Sequence, residues 1–412
     1  MPRRPFRPLP LSEVSVADER ALVEAVAHLR DTDAFGFDTE FVGEDTYRPE
    51  LCLIQVSTAD RLMLIDPFAC GPLDEFWALM HDPRRVIVAH AGREEVRMCR
   101  FASGRPPANL FDVQIAAGLV GMTYPIGYAG AVQEILGVRL TKGDTLTDWR
   151  RRPLSASQVR YAYDDVRYLL PIHARLTNRL TKLNRLPWAD EEFTAFVRRA
   201  TGDEVTVERW RKLKGIGALN RRELAVVRAV FGWREGVAER QNRPARSVMR
   251  DDILIEVGRR GAKGTDELQH LRGMPRFDTA GTLAAVRTAV ELTPAQCPER
   301  IVGEIDPPQV GTLSALLSVV LADLCEHLKL AQPLVCSQQD LKDLVRARLP
   351  GNGLPDDSPF AGGWRADAIR AALEEVLDGK TSVRVADPLA ADPLEYLLED
   401  EDGDEEDDDS DV

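Results

Sequence analysis

The chain has 412 residues, 67 Asp plus Glu against 53 Lys plus Arg and a formal net charge of −14, so it is long enough for two or three domains and too long for one core. Apolar residues at 44% and charged residues at 29% exclude a disordered or fibrous chain. The acidic balance argues against a nucleic-acid partner, because phosphate binding is driven largely by Lys and Arg, but only until the charges are located along the chain.

The N-terminal run MPRRPFRPLPLSE has no continuous apolar core for a signal peptide. No apolar run approaches the roughly 18 to 20 residues that span a bilayer. Cys52, Cys70, Cys99, Cys297, Cys325 and Cys336 are scattered, with no CxxC pair and no Cys/His cluster of zinc spacing, which suits a reducing cytosol. A cytoplasmic protein with no membrane partner is expected.

Residues 34–41 and 51–56 read as two strands of a hairpin joined by a polar loop with Gly43, Asp45 and Pro49. Residues 61–65 and 86–89 read as further strands, and 73–80 and 94–101 have helical spacing. Strands alternating with helices imply an α/β layer. In AFGFDTEF, Asp38 and Glu40 are at i and i+2 of the first strand and so share a face. Two adjacent carboxylates repel unless a cation joins them, and Mg²⁺ or Mn²⁺ suits oxygen ligands. An acidic chain produces such spacings by chance, as Asp190-Glu191-Glu192 shows; this pair is set apart by following directly on an apolar strand. After the strand VIVA come His90, Glu94 and Glu95, where both acids would also serve as ordinary first-turn residues of a helix. Asp112 reads equally well as a helix cap.

Beyond residue 155 strand signals almost vanish. Residues 157–183 read as one helix, kinked near Pro171. On it Asp165 borders the apolar stripe of Ala162, Val166 and Leu169, Asp164 points to the opposite side, and Tyr161 shares the face of Asp165 one turn earlier. Arg150, Arg151 and Arg152 precede this helix as either a lining for a strand of nucleic acid or a surface turn. Helical segments are expected at 204–213, 221–240, 251–259 and 265–271, then at 312–330, 338–348 and 364–377. Residues 201–276 hold 17 basic and 11 acidic side chains, and Lys212, Lys214, Arg221 and Arg222 are candidates for holding a phosphate backbone or for ordinary surface ion pairs. Eleven of the thirteen residues from Glu399 to Asp411 are acidic; such a block repels itself and is expected to be disordered, either as a solubilising appendage or as a nucleic-acid mimic. Only −3 remains for the rest of the chain, so the acidic total does not exclude nucleic acid.

FDTEF, YRPELCLIQVS, VIVAHAGREEV, LFDVQIAAGLVG and LTKGDTLTDWRRRPLSASQVRYAYDDVRYLLPIH, in this order, resemble the exonuclease domain of the ribonuclease D family, in the branch of DEDD exonucleases with a tyrosine in the last motif. The match covers roughly residues 10–185. RWRKLKGIGALNRRELAVVRAVFGWREGVAERQNRPARSVMRDDILIEVGRR resembles the HRDC domain of the same family, and GGWRADAIRAALEEVLDGK the end of a weaker second copy. The resemblance implies a ribonuclease H-like α/β exonuclease domain over 1–200, an HRDC domain over 203–285 and a second HRDC-like helical domain over 305–385; charge density adds the expectation of a disordered acidic tail over 386–412. It implies a metal-dependent 3′→5′ exoribonuclease releasing 5′-mononucleotides, acting on RNA such as tRNA precursors, with two divalent ions, Mg²⁺ or Mn²⁺. No organic cofactor is expected, and the chain is taken as monomeric. Asp38, Glu40 and Asp165 match the metal-ligand positions and Tyr161 the tyrosine, which would orient the attacking water rather than act as a base, since a free phenol titrates near 10. Where the family usually has Asp this chain has Glu95, taken as the fourth ligand with Glu94 as the fallback. The longer side chain shifts its carboxylate by about 1.5 Å unless it folds back, and displacements of that size weaken catalysis. Two rival functions are a catalytically weak RNA-binding protein of the same fold and a DNA-directed 3′→5′ exonuclease, since no residue identifies a reader of the 2′-hydroxyl.

Overall fold

The computed structural model describes residues 10–140, 148–202, 208–268, 271–274, 278–300 and 306–398. The chain forms two compact units: the first from the chain up to Phe111 with Leu140–Leu170 and Thr194–Glu304, the second from Asp112–Arg139, Pro171–Phe193 and the chain from Ile305 onward. Their borders cut through the span expected as one exonuclease domain: 112–139 and 171–193 belong with the C-terminal helices.

The first unit is built on a mixed sheet in the order β1-β4-β3-β2-β5-β6, with β1 Ser12–Val16, β2 Ala34–Val42, β3 Glu50–Ser57, β4 Arg61–Ile65, β5 Val86–Ala89 and β6 Leu110–Asp112. β2 and β3 pair antiparallel with Asp38 opposite Gln55, and β2 runs parallel to β5. Helices α1 Glu19–Arg30, α2 Asp74–Leu79 and α3 Arg93–Ser103 follow the strands. Asp18 caps α1, accepting from the Ala21 amide at 2.8 Å, and Leu22, Ala25, Val26 and Leu29 form its buried stripe. Alternation along β2 sends Phe35 and Phe37 into this core, where Phe37 meets Phe76 at 6.1 Å and Trp77 at 6.3 Å between ring centroids. Gly36, Asp38 and Glu40 fall on the other face.

In the second unit, α4 Val113–Gly118 and α5 Tyr128–Leu136 precede the first-unit segment that contains α6 Ala156–Arg167; α7, Leu169–Lys182, and α8, Leu186–Thr201, begin and end across the borders, so that α8 from Thr194 onward belongs to the first unit. The expected single helix over 157–183 is therefore two, parted at Tyr168. Pro171 is the third residue of α7, in the first turn, where the missing amide proton needs no helical partner.

The basic segment of the first unit folds into α9 Arg221–Arg240, α10 Ala245–Val248, α11 Asp251–Gly261 and α12 Thr279–Val290. Asn220 and Glu223 close a capping box at the start of α9. Trp210, Leu224, Val227, Val230, Leu254, Val257 and Val286 form the core. The crossing of α9 and α11 is tight: a Cβ on Gly258 would lie 2.4 Å from Val227 Cγ2. Expected helices at 204–213 and 265–271 are 3₁₀ turns at Arg209–Lys212 and Thr265–Leu268, while 203–207 and 269–270 lie outside the described residues.

The second unit also holds α13 Pro308–Leu328, α14 Gln332–Val335, α15 Gln338–Arg346 and a last helix, Ala371–Leu377. Trp188 stacks on Trp364 with centroids 4.8 Å apart, and the buried Glu192 accepts from Trp364 Nε1 at 2.8 Å. Two expectations are corrected here. One apolar helix, α13, does have the length and composition of a membrane span, with a mean hydropathy of 1.5; it packs against α15 and carries Asp323, Glu326 and His327 in its last turns. The tail expected to be disordered from 386 instead continues an antiparallel hairpin of β7 Thr381–Val385 and β8 Leu394–Leu398, held across by Arg384 Nε to Glu395 Oε2 at 2.8 Å. Residues 399–412 lie outside the described residues.

Candidate active site

Three elements bring Asp38, Glu40, Glu95, Tyr161 and Asp165 together. β2 supplies the two acids on the face that α6 covers. The approach is close because residue 36 has no side chain: a Cβ there would lie 2.3 Å from Ser57 Oγ and 3.0 Å from Leu169 Cβ. Ser57 Oγ donates to the Val166 carbonyl at 2.8 Å, pinning α6 to the sheet one residue beyond Asp165. Ser155 and Gln158 close a capping box that fixes where α6 starts, and thereby which residues face the strand. α3 brings in Glu95 in its first turn. Glu94, the fallback, instead accepts from Arg97 Nη1 at 2.7 Å on the surface, and Asp164 is taken by Arg167 Nε at 2.9 Å.

Glu95 is buried, and Thr39 Oγ1 donates to its Oε1 at 2.9 Å. This hydroxyl, between the two acids of β2, holds the longer side chain. Sequence reasoning missed it because Thr39 reads as filler within Asp-Thr-Glu.

The carboxyl groups resist ionisation. Burial, then the charges of Glu95, Asp165 and Glu40, holds Asp38 well above its ordinary range. Burial, then Asp165 and Glu95, pushes Glu40 up to about 8. Burial pushes Asp165 up to about 7 against a hydrogen bond from Tyr161, and burial raises Glu95 as well. Tyr161 is raised by burial and then by the charges of Asp165, Glu40 and Asp38, so it keeps its proton and donates to Asp165. Its ring lies 6.1 Å from that of Trp149.

A divalent cation fits this donor set. Among the described residues, Asp165 Oδ2 is buried with no hydrogen-bond partner, and so are both amide atoms of Gln55, across from Asp38 in the sheet register. Unsatisfied buried oxygens beside mutually repelling carboxylates are what a hard cation satisfies.

The remaining candidates are placed elsewhere or otherwise engaged. Asp112 caps α4, accepting from the Gln114 and Ile115 amides at 2.9 and 3.1 Å, and His90 follows β5 directly, half-buried. Arg150 is gripped by Asp45 and Glu50, each at 2.7 Å; Arg152 binds Asp66 at 2.5 Å, and Arg151 is exposed, 3.4 Å from Asp148. Arg221 donates to the Cys297 carbonyl at 2.9 Å, and Arg222 to the Ala289 and Val290 carbonyls at 3.2 and 3.0 Å. These two guanidinium groups satisfy carbonyls around the end of α12, an employment that sequence spacing does not reveal. Lys212 and Lys214 are exposed.

Residues 14–181 match the family model described as 3′-5′ exonuclease, and residues 223–276 the HRDC domain. The ribonuclease D of Gluconacetobacter diazotrophicus is 33% identical over 89% of this chain and 93% of its own length. That of Bartonella henselae is 34% identical over 86% and 88%. Among solved structures, Escherichia coli RNase D, described as an exoribonuclease involved in structured RNA processing, superposes with a TM-score of 0.77 at 29% identity, covering 90% of this chain and 99% of that one.

Proposed function

Because the chain belongs to the ribonuclease D family and is a 3′→5′ exoribonuclease, we propose that Asp38, Glu40, Glu95 and Asp165 hold two divalent ions, Mg²⁺ or Mn²⁺, at the 3′ end of a structured RNA such as a tRNA precursor. The observation that carries this is the convergence of four buried or half-buried carboxylates, all raised in pKa, around Asp165 Oδ2, which has no hydrogen-bond partner among the described residues.

When bound, such ions supply the Lewis acidity that activates water and stabilises the leaving oxygen of an in-line displacement. The side chains do the rest. Asp38 and Glu40 are held in fixed register by β2. Glu95 is locked by Thr39, so the extra methylene of Glu is absorbed by a defined rotamer. Tyr161 remains a proton donor, suited to orienting an oxygen at the site and unsuited to taking a proton from it. The chain is taken to act as a monomer, with residues 305–385 as a second HRDC-like domain.

The test is digestion of an end-labelled RNA with a single-stranded 3′ tail, with Mg²⁺ or Mn²⁺. The expected outcome is a ladder from the 3′ end that is lost in Asp38→Ala and Asp165→Ala, a fall of about a thousandfold or more if each ligand is worth several kcal/mol of transition-state stabilisation. Binding without shortening in both metals would leave an RNA-binding protein, and equal digestion of a DNA copy would remove the preference for RNA.

A further inference from the structure

On the opposite face of α3 from Glu95, within the first unit, lies a cleft of about 1220 Å³. Its walls are α3, the loop after β2, the C-terminal end of α8, the turn Arg209–Lys212 and the α9–α11 region. None of the five active-site residues lines it. The reason is helical: Arg93, Arg97 and Arg100 recur at i, i+4 and i+7 on one stripe, and Glu95 lies about 200° around the helix from Arg93.

Among the described residues, nine Arg and Lys side chains line the cleft against two carboxylates, Glu235 and Asp251. In a chain of net −14 such a concentration of one sign in a concave surface focuses attraction for polyanions. Part of it is already neutralised: Arg234 binds Asp251 at 2.6 Å and Glu235 at 3.0 Å, Arg246 lies 3.3 Å from Asp251 and Arg209 3.8 Å from Glu235, and Arg48 and Arg97 pair with Glu239 and Glu94. Arg93, Arg199 and Lys212 are exposed and have no ion-pair partner among the described residues.

The aromatic rings of the cleft are each engaged by a polar neighbour. Arg48 sits over Phe101 at 4.8 Å, Arg234 over Phe231 at 4.9 Å, and Tyr47 donates to Glu235 at 3.3 Å. The cleft therefore presents charge above all, the chemistry of sequence-independent phosphate contact.

We propose that this cleft is an exosite that grips the phosphate backbone of the folded body of the RNA, remote from the 3′ tail being shortened. The proposal rests on the exoribonuclease reading of the carboxylate site and adds a determinant of preference for structured RNA.

The test uses the full chain with Arg199→Glu combined with Arg246→Glu, both exposed. It compares an RNA hairpin carrying a 3′ tail with the same tail alone. By anisotropy in EDTA, which prevents digestion, affinity for the hairpin is expected to fall about tenfold near 0.1 M salt, and the slope of log affinity against log salt to decrease by about two, one per lost phosphate contact. With metal restored, shortening of the isolated tail is expected to match wild type, and the double Lys variant at the same positions to bind the hairpin normally. An equal loss on hairpin and tail would make the cleft part of the tail's path and overturn the proposal, as would unchanged hairpin binding. A wild-type protein that shortens neither RNA would bring down the carboxylate reading itself, a result distinct from both.

Discussion

Glu95 has one methylene more than the aspartate usual at its position in the family, and the structure gives that methylene a counterpart in the Thr39 hydroxyl 2.9 Å away. Thr39→Val keeps the shape and removes the donor. A hydrogen bond to a charged group is worth about 1.5–3 kcal/mol, so Mn²⁺ affinity by calorimetry should fall roughly tenfold. In a Glu95→Asp background the same change should cost less, because the shorter side chain no longer needs the hydroxyl; equal losses would make Thr39 a packing residue. The carboxyls also make stability depend on pH. Glu40 and Asp165 titrate near 8 and 7 in the folded protein but near 4 when unfolded. Between those values the folded state binds more protons, so the metal-free protein is most stable at the acid end of this window and loses that contribution as pH rises through 7 to 8. Thermal melts in chelator should show Tm falling from pH 5.5 to 8.5, less steeply in Asp165→Asn, and saturating Mg²⁺ should flatten the wild-type curve.

The decisive contact between elements is that of α6 with β2. Gly36 leaves room for Ser57 Oγ and Leu169, and Ser57 holds the Val166 carbonyl. Gly36→Ala places a methyl within 2.3 Å of Ser57 Oγ and 3.0 Å of Leu169 Cβ, so Ser57 has to leave the Val166 carbonyl and Leu169 has to shift, which loosens the hold on α6 and on Asp165. Overpacking costs about 1–3 kcal/mol. The expected result is a lower melting temperature with a loss of turnover larger than the loss of RNA affinity; unchanged turnover would show that α6 tolerates the shift. The alternation of β2 and the helical stripe of Ala162, Val166 and Leu169 were legible in sequence, because one face of each is apolar. The division into α6 and α7 was not: both halves carry helical spacing, and only the chain turning at Tyr168 separates them. β7 and β8 escaped notice for a related reason. Their cross-strand pairs, such as Val383 with Tyr396, join short runs separated by a Pro-rich, acidic turn that composition assigns to disorder.

At the scale of the whole molecule, the charge has three parts: an acidic block at 399–411, a basic cleft, and a carboxylate site built for cations. Deleting residues 399–412 changes the net charge from −14 to −3. Long-range repulsion of RNA should weaken accordingly, raising the association rate in stopped flow at low salt, with the difference gone by about 0.5 M salt, where the Debye length is only about 4 Å. A difference that persists at high salt would point to specific contact by the tail instead. The two units also draw on segments far apart in the chain, 112–139 and 171–193 joining the residues from 305 onward. Linear composition shifts cannot show this, because a domain border in sequence is visible only where the chain leaves one core for good.

Sequence by itself determined the α/β and helical regions, because periodicity is a local property of the chain, and through its resemblance to the family it pointed to Asp38, Glu40, Tyr161 and Asp165, with Glu95 ahead of Glu94, as the expected site. Tertiary structure decided that Glu95 is locked by Thr39, that Arg150, Arg221 and Arg222 are occupied by other groups, and that arginines from α3, α8 and the HRDC region share one cleft. Most of these are meetings between residues more than 50 positions apart, and only the packing of the chain brings such residues together.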